Sequence, residues 1–390
     1  MKFDMTLATE WLRWSPRSAE DLTALSTSYE SLVAEAFGAA FANALRSDPQ
    51  AKAIIERWDA INDAAMQRIL SAPSTSFACF YQRNAPTRFL DHLVRCLDAE
   101  NWRDQAMRVT TSAPLLSASG DIFTLPYGPT TGPFPIRQTP LLTIGTAAIP
   151  VDFRSRHALA ISLGDDHPQL SDAELDELLR TRAIDLYSDA DEVKHLNRIE
   201  HILNGIGDRA PHVAWFVAFF TKALVIRNNR SEPTRFTSGS SGQFVGRTCL
   251  VNVSAAFVDD AIVADALVHE AIHSMLYMME RHVAWVDDLD VFEGNGHSAI
   301  SPWTGAMLTP RQFMQACFVW FGLYQFWTIT EVQAWFGQAA HRQAAIAREG
   351  FYKSSLIDMV SWRSTCAPDL LDAIEILQRR LMTDDFPEFA

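Results

Sequence analysis

From Asp265 to Tyr277 the chain reads Asp-Ala-Leu-Val-His-Glu-Ala-Ile-His-Ser-Met-Leu-Tyr, and within it His269, Glu270 and His273 form a His-Glu-x-x-His pattern. Residues four apart on a helix share a face about one turn apart, so two imidazoles can be aimed at one transition-metal ion. Glu270 stands beside them as a possible acid or base. The alternative is a pair of satisfied core histidines. The metal reading is preferred because a spaced pair with an adjoining carboxylate answers a chemical need that a lone buried histidine does not.

The element that must position these residues is the run 261–280. Leu267, Val268, Ala271, Ile272, Met275 and Leu276 are apolar, and no Pro or Gly interrupts it, so it reads as a helix sunk in a core. Two histidines do not complete a site. A third protein ligand is needed, with open positions left for chemistry. Glu293, 20 residues after His273, is the first choice, and Asp287, Asp288, Asp290 and His297 compete with it. Glu280 lies two turns past His273, about 10 Å along the axis, too far to share the ion.

The bulk properties narrow the function classes. With 390 residues, 48% of them hydrophobic, the chain can bury a large core. Its formal charge of -14, from 33 basic and 47 acidic residues, disfavours nucleic acid or an anionic membrane as partner and favours a peptide with basic segments. Cys79, Cys96, Cys249, Cys317 and Cys366 form no Cys-x-x-Cys pair and read as free thiols. The acid-containing start lacks a secretory pattern and no apolar run is long enough to span a bilayer, so a cytoplasmic location is expected.

The remaining elements follow from spacing and breakers. Residues 1–108 predict a helical platform, with long helices over 19–45 and 51–70 and with Trp11, Trp14, Phe37 and Phe41 in the core. Seven prolines between Thr111 and Pro150 exclude helix there and leave loops and short strands, with strands expected at 141–144 and 158–163. Ser171 and Glu174 have the spacing of a capping box for a helix from about 172 to 186, and a second helix covers 191–203. That second helix carries His195 and His201, both expected in solvent. Residues 213–226 are apolar throughout and read as buried helix or strand. The small-residue stretch 237–246 reads as a hairpin turn before a strand at 248–253, whose edge could hold an extended peptide. An aromatic core helix is expected over 311–337, then helices at 339–357 and 369–381. The sum is an α+β fold, mostly helical, with a small β-sheet next to the buried metal helix. One domain, 1–390, is expected, with 1–108 as platform and 109–390 as metal-site core.

Three linked stretches carry a resemblance. The run 265–278, then Ser301-Pro-Trp-Thr-Gly305, then Ala316-Cys-Phe-Val-Trp-Phe-Gly-Leu323 with Phe326-Trp327, resembles the bacterial HExxH-domain proteins associated with ribosomally made, modified peptides. That family is regarded as iron(II)- and α-ketoglutarate-dependent peptide β-hydroxylases. The resemblance implies Fe(II) held by His269 and His273, α-ketoglutarate as cosubstrate, and a precursor peptide as substrate. Members often carry a His where this chain has Gln315, so the third ligand stays open between Gln315, Glu293 and another acid. An arginine is expected to pair with the distal carboxylate of the cosubstrate. Arg342 is favoured over Arg348, Arg363 and Arg247. Two rival readings remain: a zinc metallopeptidase with His269, His273 and Glu293 on Zn and Glu270 as general base, and a non-catalytic peptide-binding protein.

Overall fold

The computed structural model describes residues 3–15, 18–48, 51–81, 85–106, 141–144, 147–153, 184–185, 189–229, 232–286 and 297–383. It is an α+β fold, mostly helical. The helices are α1 (Met5–Trp11), α2 (Ala19–Ser47), α3 (Ala51–Asp59), α4 (Asp63–Ser71), α5 (Pro73–Tyr81), α6 (Pro86–Ala106), α7 (Asp189–Arg209), α8 (Pro211–Phe220), α9 (Asp260–Glu280), α10 (Pro310–Trp327), α11 (Thr330–Phe336), α12 (Gln338–Lys353) and α13 (Pro368–Thr383). The strands are β1 (Leu141–Ile144), β2 (Ala147–Phe153), β3 (Ile184–Asp185), β4 (Ala223–Asn229), β5 (Thr237–Gly239) and β6 (Arg247–Val251), with a hairpin of β7 (Ala299–Ile300) and β8 (Met307–Leu308). No helix among the described residues is long and apolar enough to cross a membrane.

The chain forms two compact units. The first comprises Met1–Tyr29, Gly205–Val217 and Ala264–Ala390; the second comprises Glu30–Asn204 and Ala218–Val263. The second unit holds the main sheet, in the order β1-β2-β4-β6-β5, with β3 paired to the end of β4. Strands β2, β4 and β6 run parallel, and β1 and β5 close the two sides antiparallel. Leu224, Val225 and Ile226 of β4 are all buried, as a central parallel strand covered on both faces requires. A separate core is built on α2 to α6, where the Phe37 ring lies 4.8 Å from Trp58 and 5.2 Å from Phe89.

Arg198 of α7 fixes the backbone that leads into α9. Its Nε donates to Asp260 Oδ1 at 2.8 Å, and its two terminal nitrogens donate to the carbonyls of Val253 and Val258 at 2.6 Å. A planar five-donor fork can satisfy all three acceptors at once, which an ammonium could not do in the same geometry.

The first unit contains α10, started by a full capping box between Thr309 and Gln312 with Pro310 in the first turn. Gly322 lets it approach α9: a Cβ there would lie 2.7 Å from Ile272 Cδ1. The Gly322 carbonyl also accepts the indole N–H of Trp14 at 3.0 Å. Trp14 is one of two non-glycine residues with positive φ among those described, at 58°, and this buried hydrogen bond holds it there.

Several expectations change. The helix foreseen over 51–70 is two helices, because Asn62 caps α4 by accepting from the Ala65 N–H and so starts a new helix. Residues 213–226 divide into the end of α8 and the start of β4. The helix foreseen over 311–337 stops at Trp327, where Thr328 turns its N–H and hydroxyl back to the Tyr324 carbonyl, and α11 starts afresh at Thr330. Ile184 and Asp185 pair with Asn229 and Asn228 as strand rather than ending a helix at 186. His195 is buried at 2% exposure, not solvated, since it shares the inward face of α7 with Ile199, Ile202 and Ile206; His201 is exposed as expected. The strand foreseen at 158–163 and the capping box at Ser171 lie outside the described residues.

Candidate metal centre

Helix α9 is apolar on nearly every side, with Val263, Ala264, Leu267, Val268, Ala271, Ile272, Met275, Leu276 and Met279 all at or below 1% exposure. Asp265, His269, His273 and Tyr277 fall at four-residue intervals along one stripe and are each partly exposed. A buried helix thus presents one accessible seam of groups that can bind or donate.

The two imidazoles meet on that seam. His269 Nε2 and His273 Nε2 stand 3.1 Å apart. Two nitrogens bound about 2.1 Å from one ion lie roughly 3.0 Å apart at right angles and about 3.4 Å apart at the tetrahedral angle. The observed separation therefore fits a pair of adjacent ligands. Burial holds His269 down at about 4; Glu270 opposes this shift and His273 adds to it. At neutral pH the His269 ring is uncharged, the charge state in which an imidazole binds a metal.

Glu270 is 2% exposed, and its Oε1 lies 4.0 Å from His269 Nε2. With His269 neutral, this contact is a positioned carboxylate beside an imidazole and not an ion pair. Gln315 of α10 approaches from the other side: its Oε1 lies 2.5 Å from His273 Nδ1. The ring nitrogen it touches is not the one facing His269. Gln315, one of the options the sequence leaves open for a third ligand, meets the ring through Nδ1.

Aromatic rings close in the seam. Tyr277 stacks on His273 with centroids 6.0 Å apart, and the Trp320 ring meets His269 edge-on at 6.5 Å. Trp303, from the Ser-Pro-Trp-Thr-Gly stretch, stacks on Trp320 at 5.8 Å and donates its indole N–H to the Ala347 carbonyl at 2.8 Å. Two further polar links tie α9 to α10. Arg311 Nε meets Glu280 Oε1 at 2.7 Å, and Trp327 Nε1 donates to Asp265 Oδ1 at 2.6 Å. The pairs 280–311, 273–315 and 265–327 make a ladder between antiparallel helices.

Glu280, judged too distant to bind the ion, is one end of that ladder. Glu293, Asp287, Asp288 and Asp290 lie outside the described residues, and among the described residues no group of three His, Cys, Asp or Glu side chains could hold a metal ion. Arg342 is exposed on α12 and makes no hydrogen bond or ion pair among the described residues. Arg363 pairs with Asp358, and Arg348 lies over the Tyr352 ring. Sequence reasoning missed the roles of Asp265 and Trp327. The available signal was Asp265 itself, a carboxylate four residues before His269 on an otherwise apolar helix, which needs a buried donor opposite it.

Compared with protein-family models and with curated proteins, the chain matches none.

Proposed function

We propose that this protein is an iron(II)- and α-ketoglutarate-dependent hydroxylase that acts on the β-carbon of a residue in a ribosomally made peptide. The observation that carries the proposal is the pair of Nε2 atoms of His269 and His273, 3.1 Å apart on a seam of α9. The resemblance of 265–278, 301–305 and 316–327 to peptide β-hydroxylases supports iron as the metal and a peptide as the substrate. Glu293 is the proposed third ligand, and Arg342 the proposed partner of the cosubstrate's distal carboxylate.

Iron(II) held by His269 and His273, with α-ketoglutarate as cosubstrate and dioxygen as oxidant, would supply hydroxylation of the peptide β-carbon coupled to oxidation of the cosubstrate to succinate and carbon dioxide. The chain's own residues supply the surroundings. His269 offers a neutral nitrogen at pH 7, Gln315 orients the His273 ring, and Tyr277, Trp320 and Trp303 line the seam and keep water from the reacting carbon.

The test is conversion of α-ketoglutarate to succinate under air by protein loaded with iron(II). Succinate is expected from the native chain and not from His269→Ala. Absence of succinate at every iron loading would reject the hydroxylase.

A zinc metallopeptidase is the second reading, and one observation favours it. The Glu270 carboxylate is buried 4.0 Å from His269 Nε2, where a general base for a metal-bound water would stand. Glu270→Gln separates the two readings: it should abolish peptide cleavage and leave the metal bound, and cleavage that survives the substitution excludes this mechanism.

A further inference from the structure

We infer that Gln315 is a positioning residue that sets the tautomer of His273 and so makes its Nε2 a metal ligand; the inference rests on the metal-site reading proposed above. A neutral imidazole carries one N–H, and only the other nitrogen has a lone pair to give. The 2.5 Å contact joins His273 Nδ1 to the amide oxygen of Gln315, and an amide oxygen can only accept. The proton therefore sits on Nδ1. The lone pair is left on Nε2, the atom that faces His269 Nε2 at 3.1 Å. With the amide reversed, Gln315 would donate, the proton would move to Nε2 and the ring could not bind.

The burial of Gln315 says that this arrangement is costly. It is 1% exposed, and its Nε2 has no hydrogen-bond partner among the described residues. An orphaned buried amide donor gives up its hydrogen bond to water and gains none in return, a net cost to the fold. A methionine or leucine of similar volume would relieve that cost, so stability does not account for a glutamine here. The ladder between α9 and α10 places it: Arg311–Glu280 on one side and Trp327–Asp265 on the other hold position 315 opposite His273. A neutral acceptor also differs from the carboxylate that often supports a metal-bound histidine, because it orients the ring without adding negative charge to the site.

Two measurements test this on the intact chain. Nitrogen-15 NMR of the imidazoles in metal-free native protein is expected to show His273 protonated on Nδ1 and bare on Nε2; a proton on Nε2 overturns the inference with no variant needed. Cobalt(II) titration, followed by its visible absorption, then compares the native chain with Gln315→Met and Gln315→Glu. Gln315→Met is expected to weaken cobalt binding about 10- to 100-fold while Tm holds or rises, and Gln315→Glu, which restores an acceptor, to recover most of the affinity. Equal cobalt affinity in Gln315→Met and the native chain overturns the inference, as does a loss of affinity that merely follows a fall in Tm. If the native chain binds no cobalt, the metal reading fails, and the NMR result still decides what Gln315 does to the ring.

Discussion

The indole N–H of Trp327 points at Oδ1 of Asp265 across 2.6 Å, one helical turn before His269 on the same seam of α9. Burial pushes the Asp265 carboxyl up to about 6. The Trp327 hydrogen bond pulls it down and the charge of Glu270 pushes it further up. The folded value exceeds the ordinary 3.8, so between pH 4 and 6 the folded chain holds more protons than the unfolded one. Stability therefore falls as pH rises through that window and stays lower above it.

Asp265→Asn keeps an oxygen for the Trp327 indole and removes the charge. In metal-free protein it should match the native chain near pH 4 and become more stable as pH rises, by at most about 3 kcal/mol at pH 7. Trp327→Phe should do the opposite, with a cost that grows with pH. Thermal melts from pH 4 to 7 read both, and a difference between the native chain and the Asp265→Asn variant that does not change with pH would refute this account.

Metal binding should stabilise the fold. A ligand held only by the folded chain at a hundredfold excess over its Kd adds about 2.7 kcal/mol. Cobalt(II) or iron(II) is expected to raise the Tm of the native chain and leave that of His273→Ala where it was. An equal rise in both would place the metal elsewhere.

Gly350 makes room for Trp303: a Cβ there would come within 2.4 Å of the indole ring. The indole is rigid and tied to the Ala347 carbonyl, so it cannot yield as a flexible chain end would. Gly350→Ala is predicted to cost about 1–3 kcal/mol, despite the better helix propensity of alanine, and to disturb the Trp303–Trp320 stack. Denaturant unfolding and tryptophan fluorescence check it.

Arg198→Ala removes three hydrogen bonds from the segment that leads into α9. A loss on the order of 2–4 kcal/mol is expected. Hydrogen exchange should speed up at residues 253–263. Arg198→Lys should recover only part of the loss, since an ammonium cannot reproduce the fork.

Much of this was legible in the residues. The four-residue spacing of His269 and His273 on an apolar run fixes a helix that turns both rings to one side, because helical geometry leaves them no other placement. The aromatic stripe of α10 and the mixed-spacing helix α2 are local patterns of the same kind. Tertiary structure alone decided which partners those faces meet. That Gln315 meets the His273 ring, that Trp327 answers Asp265, and that His195 is buried all depend on side chains from distant parts of the chain. Periodicity reports which way a residue points along its own helix; what stands opposite is set by packing between elements, which no local spacing encodes.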